Sequence, residues 1–310
     1  MARYNVPGVG IAVIRNRRTV WHAELGVRAA TGDEPITEDS VFEACSMSKA
    51  LFAYAVLKLV EEGRLDLDRP LDAYLPSPYL PDQPEAGRIT ARMVLAHTTG
   101  LPNWRPGGWL RGGPLKLIAR PGEKWTYSGE GFTYLQAVVE HLTGEAINDW
   151  MQHVLMRPLG MARSSYEWRD EYETSYAMGH NREGELKNFA HYRRGNTAFS
   201  LYTTPVEYSR LLCAMMAPRP RGAHMLSNAM REAMLVPQSR KDETTRCGLA
   251  WHIHEGEDGR YYFHGGANGA GFRCISRFDP TDGSGIVVMT NSDSGVEVYK
   301  RVVELWESRS

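Results

Sequence analysis

Residues 41–63, VFEACSMSKALFAYAVLKLVEEG, decide the fold, because they predict a helix that is buried on nearly every side. From Ser46 onward the stretch is rich in Ala, Leu, Lys and Glu, contains no Pro, and ends at Gly63. Its apolar residues cover almost the whole helix circumference, which is typical of a central helix. We therefore expect the rest of the chain to be organised around it.

The first turn of this helix carries polar residues that burial does not favour. Ser46 and Lys49 are three residues apart and share one helix face, with Cβ atoms about 5–6 Å apart. Burial and the positive end of the helix both lower the pKa of the lysine, so its neutral amine can take the hydroxyl proton. The pair predicts an activated serine nucleophile. The structural alternative makes Ser46 a helix cap and Lys49 a surface residue.

The composition of the 310 residues, 42% hydrophobic and 24% charged, is ordinary for a soluble globular protein. Lys plus Arg number 36 against 37 for Asp plus Glu, which argues against nucleic acid as a partner. No apolar run approaches the roughly 20 residues of a membrane span. Four cysteines without metal-ligand spacing predict reduced thiols in a cytoplasmic protein, and Cys45 is a weak second candidate nucleophile. The sequence indicates no cofactor and leaves the oligomeric state open.

Strand patterns lie at both ends of the chain and helix patterns in the middle. The strand patterns cover residues 9–14, 19–25, 248–254, 261–264, 272–278 and 286–291, and the first two predict a hairpin. The helix patterns after the buried helix cover residues 90–97, 131–142, 146–156, 204–216, 225–235 and 296–306. We predict an α+β fold in which helices flank one antiparallel β-sheet. In this single domain, a sheet lobe (1–64 and 236–310) would carry an inserted helical lobe (65–235).

Two further motifs are candidates for chemistry. Tyr127-Ser128-Gly129 lies in a turn-rich segment, and nearby cations would lower the pKa of the tyrosine enough for it to share a proton with Ser46. His264-Gly265-Gly266-Ala267 ends a strand, where glycines let a substrate approach and a free N–H can stabilise an oxyanion. The structural alternatives are a core tyrosine and a β-bulge. Trp104 and Trp109, in or beside a Gly- and Arg-rich loop, are candidates for a pocket rim.

The order of these motifs resembles the serine β-lactamase and penicillin-binding-protein superfamily, which carries an S-x-x-K signature. The chain is most similar to its class C β-lactamase-related branch, which includes family VIII carboxylesterases and D-amino-acid peptidases. The supporting stretches run over nearly the whole chain: Val6-Pro7-Gly8, Ser46-Met47-Ser48-Lys49, Leu95-Ala96-His97-Thr98-Thr99-Gly100-Leu101-Pro102, Pro121-Gly122 before Tyr127-Ser128, and Pro158-Leu159-Gly160-Met161.

The resemblance implies a role for each matching position. Ser46 is the nucleophile, Lys49 the amine that helps to deprotonate it, and Tyr127 the residue that carries the proton to the leaving group. The backbone N–H groups of Ser46 and Ala267 form the oxyanion hole. Acyl transfer then proceeds through a covalent acyl-enzyme, with water as the second acceptor.

Three departures from the family pattern bear on the substrate. Gly129 stands where β-lactamases and peptidases usually have an Asn that binds the acylamide of the substrate. His264 stands where class C β-lactamases have a Lys, and an unperturbed His is mostly neutral above pH ~6.5. The chain also starts almost on its first strand, where the family has a helix. The first two departures favour small carboxylic esters over β-lactams, with Gly129, His264, Gly265, Gly266, Trp104 and Trp109 as substrate-binding candidates.

Other classes of protein fit the sequence less well. An α/β-hydrolase would need G-x-S-x-G, which is missing, and its oxyanion loop precedes the nucleophile. A metallohydrolase would need clustered ligands, and the histidines show no H-E-x-x-H. We expect a serine hydrolase of small-molecule esters or amides. A class C-type β-lactamase or D-amino-acid peptidase is the enzymatic alternative, and a binding or sensor protein on the same fold is the non-enzymatic one.

Overall fold

The structure is a computed structural model, which describes residues 1–188, 191–219, 222–257 and 259–308. In that part of the chain the strands are β1 (Gly8–Arg15), β2 (Arg18–Gly26), β3 (Phe42–Glu43), β4 (Tyr202–Thr203), β5 (Ser239–Arg240), β6 (Thr245–Cys247), β7 (His252–Gly256), β8 (Gly259–Ala267), β9 (Arg273–Asp279) and β10 (Ser284–Thr290). The α-helices are α1 (Ser48–Glu61), α2 (Ala91–Leu95), α3 (Gly108–Arg111), α4 (Gly129–Thr143), α5 (Ile147–Met151), α6 (Pro205–Met216), α7 (Asn228–Leu235) and α8 (Gly295–Glu307).

The main sheet is antiparallel throughout, with strand order β2-β1-β10-β9-β8-β7-β6-β5. Strands from the two ends of the chain therefore lie side by side in this sheet, where β1 pairs with β10. Helix α8 packs on one face of these strands and α6 on the other. Every residue of β10 is buried, as expected for a strand covered on both faces. The predicted α+β fold with one helix-flanked antiparallel sheet is confirmed.

The central helix α1 is buried along nearly its whole length, from Ser48 to Leu59. Residues from the sheet, α4 and α6 belong to the same apolar core as this helix. Its start differs from the prediction, because residues Cys45–Met47 form a 3₁₀ turn and the α-helix begins only at Ser48. The cause is Cys45, whose left-handed φ of 51° turns the chain sharply just before the helix.

Two other elements differ from the sequence pattern. The predicted strand at residues 248–254 is a turn as far as Trp251, because the Gly248 N–H bonds to the Trp251 carbonyl and Ala250 has a φ of 67°. Leu249 and Trp251 are buried, so the apolar residues at every second position of this segment reflect buried side chains and not a strand. The predicted helix at 146–156 stays α-helical only to Met151 and continues as a π-helical turn.

Candidate active site

The candidate nucleophile, Ser46, lies in the 3₁₀ turn between β3 and α1, at the base of a surface cavity. Strand β3 pairs with β4, and the Ala44 N–H bonds to the Leu201 carbonyl at 2.8 Å, which fixes the chain just before the turn. A non-glycine residue in the left-handed region costs of order 1–3 kcal/mol, and such strain is common at functional sites. Cys45 carries that strain next to Ser46, which presents its side chain to the cavity.

The Lys49 amine is the nearest candidate base. Its Nζ lies 3.3 Å from Ser46 Oγ and 2.7 Å from the Ala198 carbonyl oxygen. In the described residues no carboxylate comes within 4.0 Å of this amine, and the side chain is almost completely buried. Burial lowers the pKa of Lys49 to about 7, so a large share of the amine is neutral at physiological pH. This agrees with the depression predicted from the sequence.

The Tyr127 phenol lies near the Ser46 hydroxyl, whose interaction with it opposes the effect of burial on the tyrosine pKa. The Lys49 Nζ is 4.8 Å from the centroid of the tyrosine ring, so the three side chains form one cluster. The expected lowering of the tyrosine pKa is wrong, because burial raises the pKa of Tyr127 well above its usual value. The phenol therefore keeps its proton near neutral pH and is suited to donate it to a leaving group.

Three buried histidines lie behind this cluster. The His97 ring lies against that of Tyr127 with centroids 4.4 Å apart and planes tilted by 33°, and its Nδ1 accepts the Ser128 N–H at 3.2 Å. His264 is only 1% exposed, and its ring centroid lies 5.3 Å from that of His252. Burial lowers the pKa of each of these imidazoles, so they are neutral near pH 7. The sequence placed His264 against the substrate, whereas the structure places it behind the cavity wall.

The cavity above Ser46 has a volume of about 360 Å³, and four aromatic residues are part of its wall. Trp104 and Trp109 both meet Phe199 edge-on, with ring centroids 5.4 and 5.5 Å apart. Arg111 contributes a charged side chain to the wall. The lining residues are Ser46, Asn103, Trp104, Gly107, Gly108, Trp109, Arg111, Tyr192, Phe199, Ala267, Asn268 and Gly269. Four residues from the sequence prediction, Ser46, Ala267, Trp104 and Trp109, are thus brought together here.

The glycines of the strand motif explain how β8 comes so close to Ser46. A Cβ on Gly266 would lie 2.4 Å from the Ala44 carbonyl oxygen, so only glycine permits this approach. Ala267 follows at the end of β8 and, like Ser46, lines the cavity. A Cβ on Gly265 would meet only ordinary contacts, and neither Gly265 nor Gly266 is among the residues that line the cavity.

Gly129 is likewise beneath the cavity wall. A Cβ at this position would lie 2.7 Å from two atoms of the Trp104 indole and 2.9 Å from the Asn103 carbonyl oxygen. The Gly129 N–H is held by the Asn103 side chain at 3.1 Å. The indole of Trp104 thus occupies the space that a side chain at residue 129 would need.

The described residues contain no group of three or more His, Cys, Asp or Glu side chains suited to a metal ion. In the same part of the chain, no helix has the length and apolar character needed to traverse a lipid bilayer.

Comparison with known proteins supplies the family. The family model described as Beta-lactamase matches residues 1–305. Protein flp of Staphylococcus aureus (strain MRSA252) is 23% identical over 325 residues, covering 97% of this chain and 62% of the relative. The chain thus spans about three-fifths of the length of that curated relative.

Two solved structures share the fold. The penicillin-binding protein from Bacillus halodurans has a TM-score of 0.83 at 22% identity, covering 98% of this chain and 97% of the other. The β-lactamase/D-alanine carboxypeptidase from Pseudomonas syringae has a TM-score of 0.83 at 18% identity, with 98% and 95% covered. At such identities the likeness establishes the architecture and not the substrate.

Proposed function

The chain belongs to the Beta-lactamase family, and we propose that it is a serine hydrolase that works through an acyl-enzyme. The observation that carries the proposal is the Lys49 amine, which lies 3.3 Å from Ser46 Oγ, has a pKa lowered to about 7, and has no carboxylate within 4.0 Å in the described residues. A buried amine in that state is a base directed at one hydroxyl.

The proposed reaction uses three side chains and two backbone N–H groups. Lys49 takes the Ser46 proton as Oγ attacks the substrate carbonyl, and the N–H groups of Ser46 and Ala267 stabilise the oxyanion. When the C–O or C–N bond breaks, Tyr127 gives its proton to the leaving group and regains one from the Lys49 ammonium. Water then attacks the acyl-enzyme and gives a proton to the Lys49 amine, and that proton passes to Ser46 Oγ as the acyl C–O bond breaks and the carboxylic acid leaves.

We propose small carboxylic esters as the preferred substrates. The aromatic wall formed by Trp104, Trp109 and Phe199 suits an apolar acyl or alcohol group. Trp104 also fills the space beside Gly129, where β-lactamases of this branch usually hold an acylamide. Leaving an acylamide of a substrate unpaired costs about 1–3 kcal/mol, or roughly 5- to 150-fold in kcat/KM. A class C-type β-lactamase or D-amino-acid peptidase is the second candidate, which the names of the structural relatives favour.

The test begins with a fluorophosphonate, which we expect to label wild-type protein covalently at Ser46 and to leave Ser46→Ala unlabelled. Equal labelling of both would exclude Ser46 as the nucleophile. A protein that binds ligands but neither labels nor hydrolyses would be a sensor on the same fold.

Substrate preference is then measured as kcat/KM for p-nitrophenyl butyrate against a chromogenic cephalosporin. We expect the ester to be faster, and faster cephalosporin turnover would reverse the preference. A gain of cephalosporin turnover is best tested in Trp104→Ala combined with Gly129→Asn. In Gly129→Asn alone, the new side chain would collide with the Trp104 indole.

A further inference from the structure

One buried carboxylate beside the site has no part in the proposed reaction. Glu43 is completely buried on β3, three residues before Ser46. Its Oε1 accepts the Tyr176 hydroxyl at 2.5 Å, and its Oε2 accepts the Asn268 side-chain N–H at 2.5 Å. In the described chain no Lys, Arg or His nitrogen comes within 4.0 Å of this carboxylate. Burying a carboxylate without a counter-ion is costly. The presence of Glu43 at this position, with only two neutral hydrogen-bond donors, therefore needs an explanation.

Asn268 connects Glu43 to the oxyanion hole. It follows Ala267 directly and lines the same cavity. While its Nδ2 donates to Glu43, its Oδ1 accepts the backbone N–H groups of Ala270 at 3.1 Å and Phe272 at 3.2 Å. The loop between β8 and β9 is thus folded around this one side chain. Because both ends of the amide are used, a change at Glu43 is transmitted to the loop.

The Glu43 backbone is equally well fixed on the side of the nucleophile. Glu43 pairs with Tyr202 in the small sheet formed by β3 and β4. Its carbonyl oxygen accepts the thiols of Cys45 at 3.3 Å and Cys274 at 3.4 Å. One end of the Glu43–Asn268 contact therefore belongs to the strand that leads into Ser46, and the other to the loop that carries Ala267.

We infer that Glu43 and Asn268 are positioning residues that hold the N–H groups of Ser46 and Ala267 in register as one oxyanion hole. The inference rests on the proposed function and adds a specific support for its transition state. A contact between residues 225 positions apart joins the two halves of the hole, beside the weaker hydrogen bond from the Cys274 thiol to the Glu43 carbonyl. Oxyanion stabilisation depends on donor placement within tenths of an ångström, so loosening this contact lowers kcat more than it affects substrate binding.

The protonation state of Glu43 gives this arrangement a pH dependence. Burial raises the pKa of Glu43 to about 7, against the opposing hydrogen bonds from Tyr176 and Asn268. As a carboxylate it accepts both donors, whereas a protonated acid has to give up part of that pairing. The titratable groups facing it are Cys45, Cys274, Tyr176, Tyr192 and Tyr202. Burial raises the pKa of Cys45 and of these tyrosines, so they stay neutral near pH 7.

The test compares Glu43→Gln and Asn268→Ala with Glu207→Gln as a matched control. Glu207 is another buried glutamate, which accepts the Ser164 hydroxyl at 2.6 Å and the Arg163 N–H at 2.9 Å, away from the cavity. Activity is expressed per serine titrated by a fluorophosphonate, so that a loss of folded protein does not count as a loss of kcat. We expect kcat to fall about 10- to 100-fold in Glu43→Gln, less than the 10²–10³-fold for losing an oxyanion donor outright. KM should change little, and Glu207→Gln should keep the wild-type kcat.

Two further readouts separate positioning from a merely structural role. In wild type, protonated Glu43 should be as impaired as Glu43→Gln, so kcat/KM should fall more steeply than tenfold per pH unit over about the first two units below pH 7, whereas in Glu43→Gln it should fall about tenfold per unit throughout. The double variant Glu43→Gln/Asn268→Ala should be no worse than Asn268→Ala alone, because both substitutions break one contact.

A wild-type kcat and acid slope in Glu43→Gln would overturn the inference. If that variant does not fold, a wild-type kcat in Asn268→Ala, a half-buried loop position, would overturn it instead. These outcomes differ from a failure of the proposed function, in which the wild-type protein itself would neither label with the fluorophosphonate nor hydrolyse the ester.

Discussion

Helix α1 carries a buried lysine near each end, and the two have opposite surroundings. Lys49 meets a hydroxyl and a backbone carbonyl, and burial lowers its pKa to about 7. Lys58 forms an ion pair with Glu61 at 3.0 Å, and its Nζ also donates to the Met225 carbonyl. The comparison teaches that burial alone does not make a lysine a base. A buried lysine becomes a base when it also lacks a counter-ion, because its charged form is then left unstabilised.

The largest expected effect is on turnover. Lys49→Ala should lower kcat about 10²–10⁴-fold, the usual range for a lost acid–base group, because Lys49 is the group that takes the Ser46 proton in the proposed reaction. Lys58→Ala removes the same charge from the same helix and should leave kcat within about threefold, since Lys58 has no contact with the cavity. Steady-state kinetics with p-nitrophenyl butyrate, normalised to titrated serine, would measure both. Equal losses of kcat in the two variants would show that the presence or absence of an ion-pair partner for the lysine does not matter for catalysis.

The next effect is on pH dependence. Since the neutral Lys49 amine is the reactive form, kcat/KM should fall at least tenfold per pH unit well below pH 7 and level off above it. Lys58→Met should keep the wild-type midpoint, because the ion pair at that end of α1 does not take part. A pH–rate profile from pH 5 to 9 in buffers of constant ionic strength would check this. A flat wild-type profile through pH 7 would contradict the assignment of Lys49 as the base.

The smallest expected effect is on stability, and its sign differs between the two lysines. Lys58→Met leaves Glu61 without its cation and should lower the free energy of unfolding by about 1–3 kcal/mol. For Lys49, the folded pKa of about 7 lies below the ordinary 10.5, so the folded state binds fewer protons than the unfolded state between these values. The stability of the wild type therefore falls as pH drops from about 10.5 to 7. Lys49→Met lacks this penalty, so its free energy of unfolding should rise relative to that of the wild type as the pH falls through this range.

Urea unfolding of the wild type and both methionine variants at pH 7 and pH 10 would measure these differences. If Lys49→Met lost as much stability at pH 7 as Lys58→Met, the two lysines would be equivalent structural residues. A Lys49→Met variant that is inactive yet relatively more stable at pH 7 would instead show that the site is maintained at a cost in stability.

Local pattern was enough to predict much of the fold. The apolar circumference of α1 indicated a buried helix, and the helix pattern over residues 204–216 indicated α6, at whose start Thr204 accepts the Glu207 N–H. The hairpin of β1 and β2 was also predicted, although its bulge near Val13 was not. These features depend on neighbours within a few residues, which the sequence displays directly.

The candidate site was predicted only in part, for the same reason. The spacing of Ser46 and Lys49 is a local property of one turn, and the motifs at Tyr127 and Ala267 were found through the order typical of the family. Where His264 points and how Trp104 covers Gly129 depend on how distant segments pack. Neither fact has a signal in the spacing of residues along the chain.

By itself, then, the sequence determined the central helix, the class of fold and the family, because periodicity, caps and motif order are properties of short segments. Tertiary structure alone decided the electrostatics: the raised pKa of Tyr127, the neutral histidines behind it, and the buried Glu43 that Asn268 reaches from 225 residues away. The physical reason is that a pKa depends on burial and on every polar group within a few ångströms. Those groups come together only when β8 and β9 lie beside the turn that carries Ser46.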